Sequence, residues 1–131
     1  MAEVDDNLLN IDHDNEVLYR DDKITITDKE VILNMYYFPF GTKRVIPLRS
    51  IKSFKCYFPR SFLSMKSWGM GIDFDVWWHA DFQRKWGDCH AIVLNTGEWP
   101  SAGITPGSGK KETVRRVQNI LNRYIEQDEP E

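Results

Sequence analysis

The chain has 131 residues, a formal net charge of −3 and 13% aromatic residues including five tryptophans, which suits one domain with a sizeable core. No apolar run approaches the roughly 20 residues of a membrane-spanning helix, and the first 15 residues lack the basic and apolar regions of a secretory signal. Two cysteines, Cys56 and Cys89, are too few for a disulfide framework, so reduced thiols in a soluble, cytoplasmic protein are expected.

Charge is segregated along the chain. Residues 1–16 carry Glu3, Asp5, Asp6, Asp12, Asp14 and Glu16 and no base, and residues 126–131 add Glu126, Asp128, Glu129 and Glu131. Without these ends, 17 basic residues face 10 acidic ones. Segments 1–15 and 126–131 are expected to be mobile acidic tails, because they hold too few apolar groups to offset the entropy of ordering. In the first tail, Leu8, Leu9 and Ile11 are suited to docking on the body.

Between the tails, residues 16–125 read as one β domain. Lys23–Thr27 alternates, with Ile24 and Ile26 on one face, and Asp28–Lys29 makes a turn. Val31–Phe38 is β-branched and aromatic and stops at Pro39 and Gly41. Lys43–Leu48 and Ile51–Phe58 follow. In Ile72–His79 the residues Ile72, Phe74, Val76 and Trp78 alternate with Asp73, Asp75, Trp77 and His79, predicting one buried and one exposed face. His90–Leu94 and Trp99–Ile104 flank the turn Asn95-Thr96-Gly97-Glu98. Seven strands at this spacing predict an antiparallel barrel. The period then changes. Val114, Val117, Leu121, Tyr124 and Ile125 form a helical stripe over about 109–125, with Ser108 as N-cap, Glu112 in the first turn, and Arg115, Arg116, Asn119 and Arg123 largely off the stripe. The helix is expected to close one end of the barrel.

Seven strands followed by one helix, the segment Ser67-Trp68-Gly69-Met70-Gly71-Ile72, and the run from His90 through Thr96-Gly97 to Gly103-Ile104-Thr105-Pro106 together resemble a small bacterial-type pleckstrin-homology-like (PH-like) domain. Gly107-Ser108-Gly109 stands where that family usually carries acidic residues before its helix. The resemblance implies a seven-stranded barrel capped by a C-terminal amphipathic helix. It implies no single function, since the fold serves lipid, peptide and assembly roles.

Two features suggest binding. No acid occurs from residue 31 to residue 72, while Lys43, Arg44, Arg49, Lys52, Lys55, Arg60 and Lys66 do; uncompensated charge of this density attracts anions or acidic partners. The segment Pro59–Met70 places Phe62, Leu63, Met65 and Trp68 beside Arg60 and Lys66, the composition of a partner-binding loop or interfacial anchor. The bland alternatives are a solvated face balanced by Asp73, Asp75 or the tails, and a loop that caps the barrel mouth. Phosphoinositide recognition at the first hairpin is disfavoured by its acidic turn Asp28-Lys29-Glu30. The expected function is therefore a non-catalytic module for a protein or peptide partner, with no cofactor. Association with an anionic membrane surface through the 43–66 face is the alternative, placing the protein at the inner face of a membrane. Pro39, Phe40 and Phe58 extend the aromatic loop into a surface for homo-oligomer contact. Nucleic-acid binding is opposed by the acidic tails. Enzyme readings rest on His79 and His90, which a hairpin between their strands would bring together, yet no metal-ligand spacing accompanies them. Cys89 beside His90 is not a dyad, because neighbouring strand residues point to opposite faces.

Overall fold

The computed structural model describes residues 16–37, 40–60, 68–71, 75–82 and 89–125, with the backbone alone for 58–60. The first sheet is an antiparallel meander of β1 (Val17–Arg20), β2 (Ile24–Thr27), β3 (Glu30–Tyr37) and β4 (Thr42–Pro47), in that order. Local side chains make its turns. Asp21 Oδ1 accepts from the backbone N–H of Lys23 and of Ile24, both at 2.8 Å, and Thr27 Oγ1 accepts from Lys29 N–H and Glu30 N–H at 3.1 and 3.0 Å. Ile24, Ile26, Val31, Leu33 and Ile46 are buried in the main core, as their period-2 spacing requires.

The second sheet contains β5 (Ser53–Arg60), β6 (Gly69–Met70), β7 (Val76–Trp78), β8 (Cys89–Asn95) and β9 (Ser101–Ile104), in the order β5-β8-β9-β7-β6. Its pairings are antiparallel except β7 with β9, which run parallel with Ser101 opposite Val76. One face, with Phe54, Cys56, Ile92, Leu94, Ala102 and Ile104, joins the main core. The other carries a second apolar cluster of Val76, Trp78, Cys89, Ala91 and Val93, with Tyr57 against it. Cys56 and Cys89 therefore lie on opposite faces, and both are free and buried.

The helix α1 (Lys111–Leu121) buries Val114, Val117, Ile120 and Leu121 in the main core, and Ile125 beyond its end joins them. It starts later than Ser108. Gly107, Ser108 and Gly109 have φ of 61°, 58° and 95° within a 3₁₀ turn (Pro106–Gly109), a left-handed run that cannot continue into a right-handed helix. The N-cap is Lys110, with Glu112 in the first turn as expected. Tyr124 leaves the stripe and is half exposed.

The architecture is thus mainly β with one helix, but it departs from a seven-stranded antiparallel barrel. The described residues form nine strands in two sheets, with one parallel pair and no closed barrel. The additional strands are β1, whose Val-Leu-Tyr-Arg shows no alternation of apolar and polar residues, and β6, which spans two residues. The expected alternation of 72–79 also changes meaning. Val76 and Trp78 are buried and Asp75 is exposed, as expected, but Trp77 packs against the main core and His79 is fully buried, so the second face is covered over Trp77 and His79. Residues 72–74 lie outside the described residues.

The sheets meet at the end of β3. Met35 has φ 51° and marks a register shift between β3 and β4. That bend directs the Met35 carbonyl to the N–H of Ala80 at 3.1 Å. The next carbonyl, of Tyr36, accepts from the indoles of Trp68 at 2.9 Å and Trp77 at 2.8 Å. Three donors from the second sheet region therefore converge on one bulge of the first.

Candidate functional site

The bulge has a second consequence, at the surface. Trp68 is held by its bond to Tyr36 and stacks edge-on with Phe82, ring centroids 6.3 Å apart. A Cβ built on Gly41 would stand 3.8 Å from Met35 Cε and 4.0 Å from the Trp68 ring, so the β3–β4 turn lies against both side chains. Around this seam Phe40 is 86% exposed, Phe82 69%, and Met35 and Tyr37 45% each. Large apolar groups grouped at a surface differ from isolated exposed ones, because grouping marks sites that become buried in a complex. Trp68 was expected in the binding surface and takes part in this patch. Phe62, Leu63 and Lys66 lie outside the described residues.

Of the predicted bases, Lys43, Arg44, Arg49, Lys52 and Lys55 have described side chains, and their settings differ. Arg44 is drawn inward: its Nη1 donates to the Tyr36 hydroxyl at 3.1 Å, its guanidinium lies 5.2 Å from that ring, and Nη2 is 4.0 Å from Glu98. Burial pushes the Tyr36 hydroxyl pKa up, and the Arg44 charge partly opposes the shift. Lys52 lies over Gly97, whose added Cβ would meet Lys52 Cε at 2.7 Å. Lys55 lines a trough of about 410 Å³ on the outer side of the second sheet, with Tyr57, Asp75, Val93, Glu98 and Trp99 among its walls. Arg44, Lys52 and Lys55 thus gather about the β8–β9 turn, where Glu98 and Asp75 meet part of their charge. Lys43 and Arg49 are exposed elsewhere, on β4 and on the 3₁₀ turn Leu48–Ser50. Only the backbone of Arg60 is described, at the end of β5.

A buried polar network joins the helix start to both sheets. Asp81, with no solvent exposure, accepts from Thr105 Oγ1 at 2.7 Å and Ser108 Oγ at 3.0 Å, and Lys23 Nζ is 4.0 Å away. His79 Nε2 accepts from Thr105 N–H at 3.2 Å, which places the ring proton on Nδ1 when the imidazole is neutral. Asp21 Oδ2 accepts from the Tyr19 hydroxyl and from Gly107 N–H at 3.1 Å; burial and then Asp21 push the Tyr19 pKa upward. Ser108 has a left-handed backbone and a carboxylate partner, but its hydroxyl bonds Asp81 rather than an imidazole. The hairpin that would have paired His79 with His90 does not form, since β9 lies between β7 and β8. Among the described residues no group of three or more His, Cys, Asp or Glu is placed to hold a metal ion, and no helix is long and apolar enough to cross a membrane.

Sequence reasoning singled out Trp68 and Phe40 but missed Met35, Phe82 and Trp99. Met35 looked like a strand residue, and only the bulge turns it outward. Phe82 stands outside every predicted strand, the one signal that pointed to it. Compared with protein-family models, with curated proteins and with solved structures, the chain matches none.

Proposed function

We propose that the chain is a non-catalytic, PH-like binding module that recognises a protein partner through the patch of Met35, Phe40, Trp68 and Phe82. The order of a four-stranded meander, a second sheet and a terminal helix supports the PH-like reading. The observation that carries the function is Phe40 and Phe82 standing 86% and 69% exposed around a tryptophan fixed by the Tyr36 carbonyl. Aromatic anchors on a rigid support lose little conformational entropy on docking, which is how a few residues come to dominate an interface.

The test compares the wild-type chain with a Phe40→Ser/Phe82→Ser variant. Proteins captured from lysate on each are identified, and the leading one is purified and titrated directly. The patch reading expects at least a tenfold weaker Kd for the variant, with an unchanged melting temperature. Equal affinities would remove the patch from the interface. If the wild type instead captures no protein and co-sediments with phosphatidylserine vesicles, Phe40 and neighbouring Lys43 act as an interfacial anchor and the membrane reading replaces this one.

A further inference from the structure

A second surface, built from other elements, carries its own chemistry. Glu112, Arg116, Asn119 and Arg123 follow one another at helical spacing along the side of α1 that flanks β1. With Arg115, Leu18 and Ile120 they line a groove of about 570 Å³. Three guanidinium groups face one carboxylate there. Among the described residues, no carboxylate oxygen lies within 4.0 Å of any of the three. Arg116 is set over the Tyr19 ring at 5.7 Å, so its position is supported from below. β1 pairs only with β2, which leaves its outer edge unpaired among the described residues.

We infer that this groove binds an extended, acidic polypeptide segment supplied by another protein. Charge complementarity selects the sign: guanidinium pairs carboxylate in two-pronged geometry, and exposed arginines that meet no carboxylate among the described residues can take one up without breaking an ion pair there. The groove floor selects the class. Leu18 and Ile120 accept an apolar side chain between the acids, and a bare strand edge offers main-chain hydrogen bonds, which only a polypeptide can use along its length. Arg116 lies within α1 and Arg123 two residues past its end, so a rise of roughly 10 Å separates them along the axis, a span that about three extended residues cover. A single-stranded nucleic acid would need an aromatic platform, and the aromatic ring here, Tyr19, is buried beneath Arg116.

The inference is tested by fluorescence anisotropy on the full chain with a labelled ten-residue peptide of four Glu interleaved with Leu. Its Gln-for-Glu counterpart, a ten-nucleotide DNA strand and phosphatidylserine vesicles serve as competitors. The Glu peptide is expected to bind at least tenfold tighter than the Gln peptide, and to weaken with salt. Arg115→Gln/Arg123→Gln should cost tenfold or more, as should Arg116→Glu, while the melting curves of the first variant stay superimposable on wild type. Phe40→Ser/Phe82→Ser should keep full affinity for the peptide, so the two surfaces fail or succeed separately. Equal binding of the two peptides, indifference to the arginine substitutions, or stronger competition by DNA or vesicles overturns the inference. One further arm replaces Glu3, Asp5, Asp6, Asp12 and Asp14 by their amides. Unchanged peptide affinity supports a partner in trans, whereas a tenfold gain means that the chain's own acidic end occupies the groove, and overturns it.

Discussion

Cys56 sits without solvent exposure on the core face of β5, and burial pushes its thiol up to about 11 from an ordinary 9.0. In the unfolded chain the thiol ionises around 9, while in the folded protein it keeps its proton until about 11. Over that window the unfolded state binds fewer protons, so stability falls as pH rises; below pH 9 the contribution is complete. Denaturant melts between pH 8 and 11 should therefore show a declining stability whose slope is reduced in Cys56→Ala. Tyr36, raised by burial, extends the loss above pH 10 in both proteins. Asp21 acts at the same scale by a different route. Its carboxylate holds the β1–β2 turn through Lys23 and Ile24 and reaches Gly107 before the helix. Asp21→Ala should destabilise by about 1.5–3 kcal/mol, the worth of hydrogen bonds to a charged group, with chemical denaturation as the measure.

Among the elements, the parallel pair β7–β9 leaves no room for an added side chain at Gly103. Gly103 on β9 lies under Trp78 of β7: an added Cβ would stand 2.4 Å from Trp78 Cε3 and 2.6 Å from Val76 Cγ1. Gly103→Ala must displace a fully buried indole or part the strands, an overpacking cost on the order of 1–3 kcal/mol. Near-ultraviolet circular dichroism should report the shifted tryptophan environment; an unaltered spectrum and melt would mean that β7 does not lie over Gly103. The same comparison indicates what was legible at this scale. β2, β3, β4, β5, β8, β9 and α1 follow from period and turn chemistry, because each has one face whose burial repeats at a fixed interval. β6 spans two residues and carries no period. β7 was visible, but its partner was not. Parallel pairing with β9 is set by the path of intervening chain, and alternation along one strand says nothing of that path.

At the scale of the molecule, the aromatic patch and the arginine groove lie on different elements, the first at the β3–β4 turn and around Phe82, the second along α1. Substituting Phe40 and Phe82 by Ser removes surface that contributes nothing to the core, so the melting temperature should hold within about 2 °C, since surface changes of this kind typically stay within about 0.5 kcal/mol. The variant should also bind less of a hydrophobic dye such as ANS in its native state. A marked drop in melting temperature would place these rings in the fold instead. Arginine substitutions on α1 should likewise leave folding intact, because the buried stripe of Val114, Val117, Ile120 and Leu121 supplies the packing of the helix.

Composition and periodicity alone determined a β-rich chain ending in one amphipathic helix, cysteines too few for a disulfide framework, and a basic body between acidic ends. These depend on local chemistry, and local chemistry is written residue by residue. The tertiary structure decided which charges stand together. Seven bases without an intervening acid read as one positive face, yet strand pleating and the split into two sheets direct Arg44 onto Tyr36, Lys55 into a trough with Asp75 and Glu98, and Lys43 and Arg49 elsewhere. Charge density along a chain becomes a surface potential only after topology has distributed it. On the polar side of the helix, by contrast, Arg115, Arg116 and Arg123 are brought into one groove with a single acid, Glu112, beside Leu18 of the first strand.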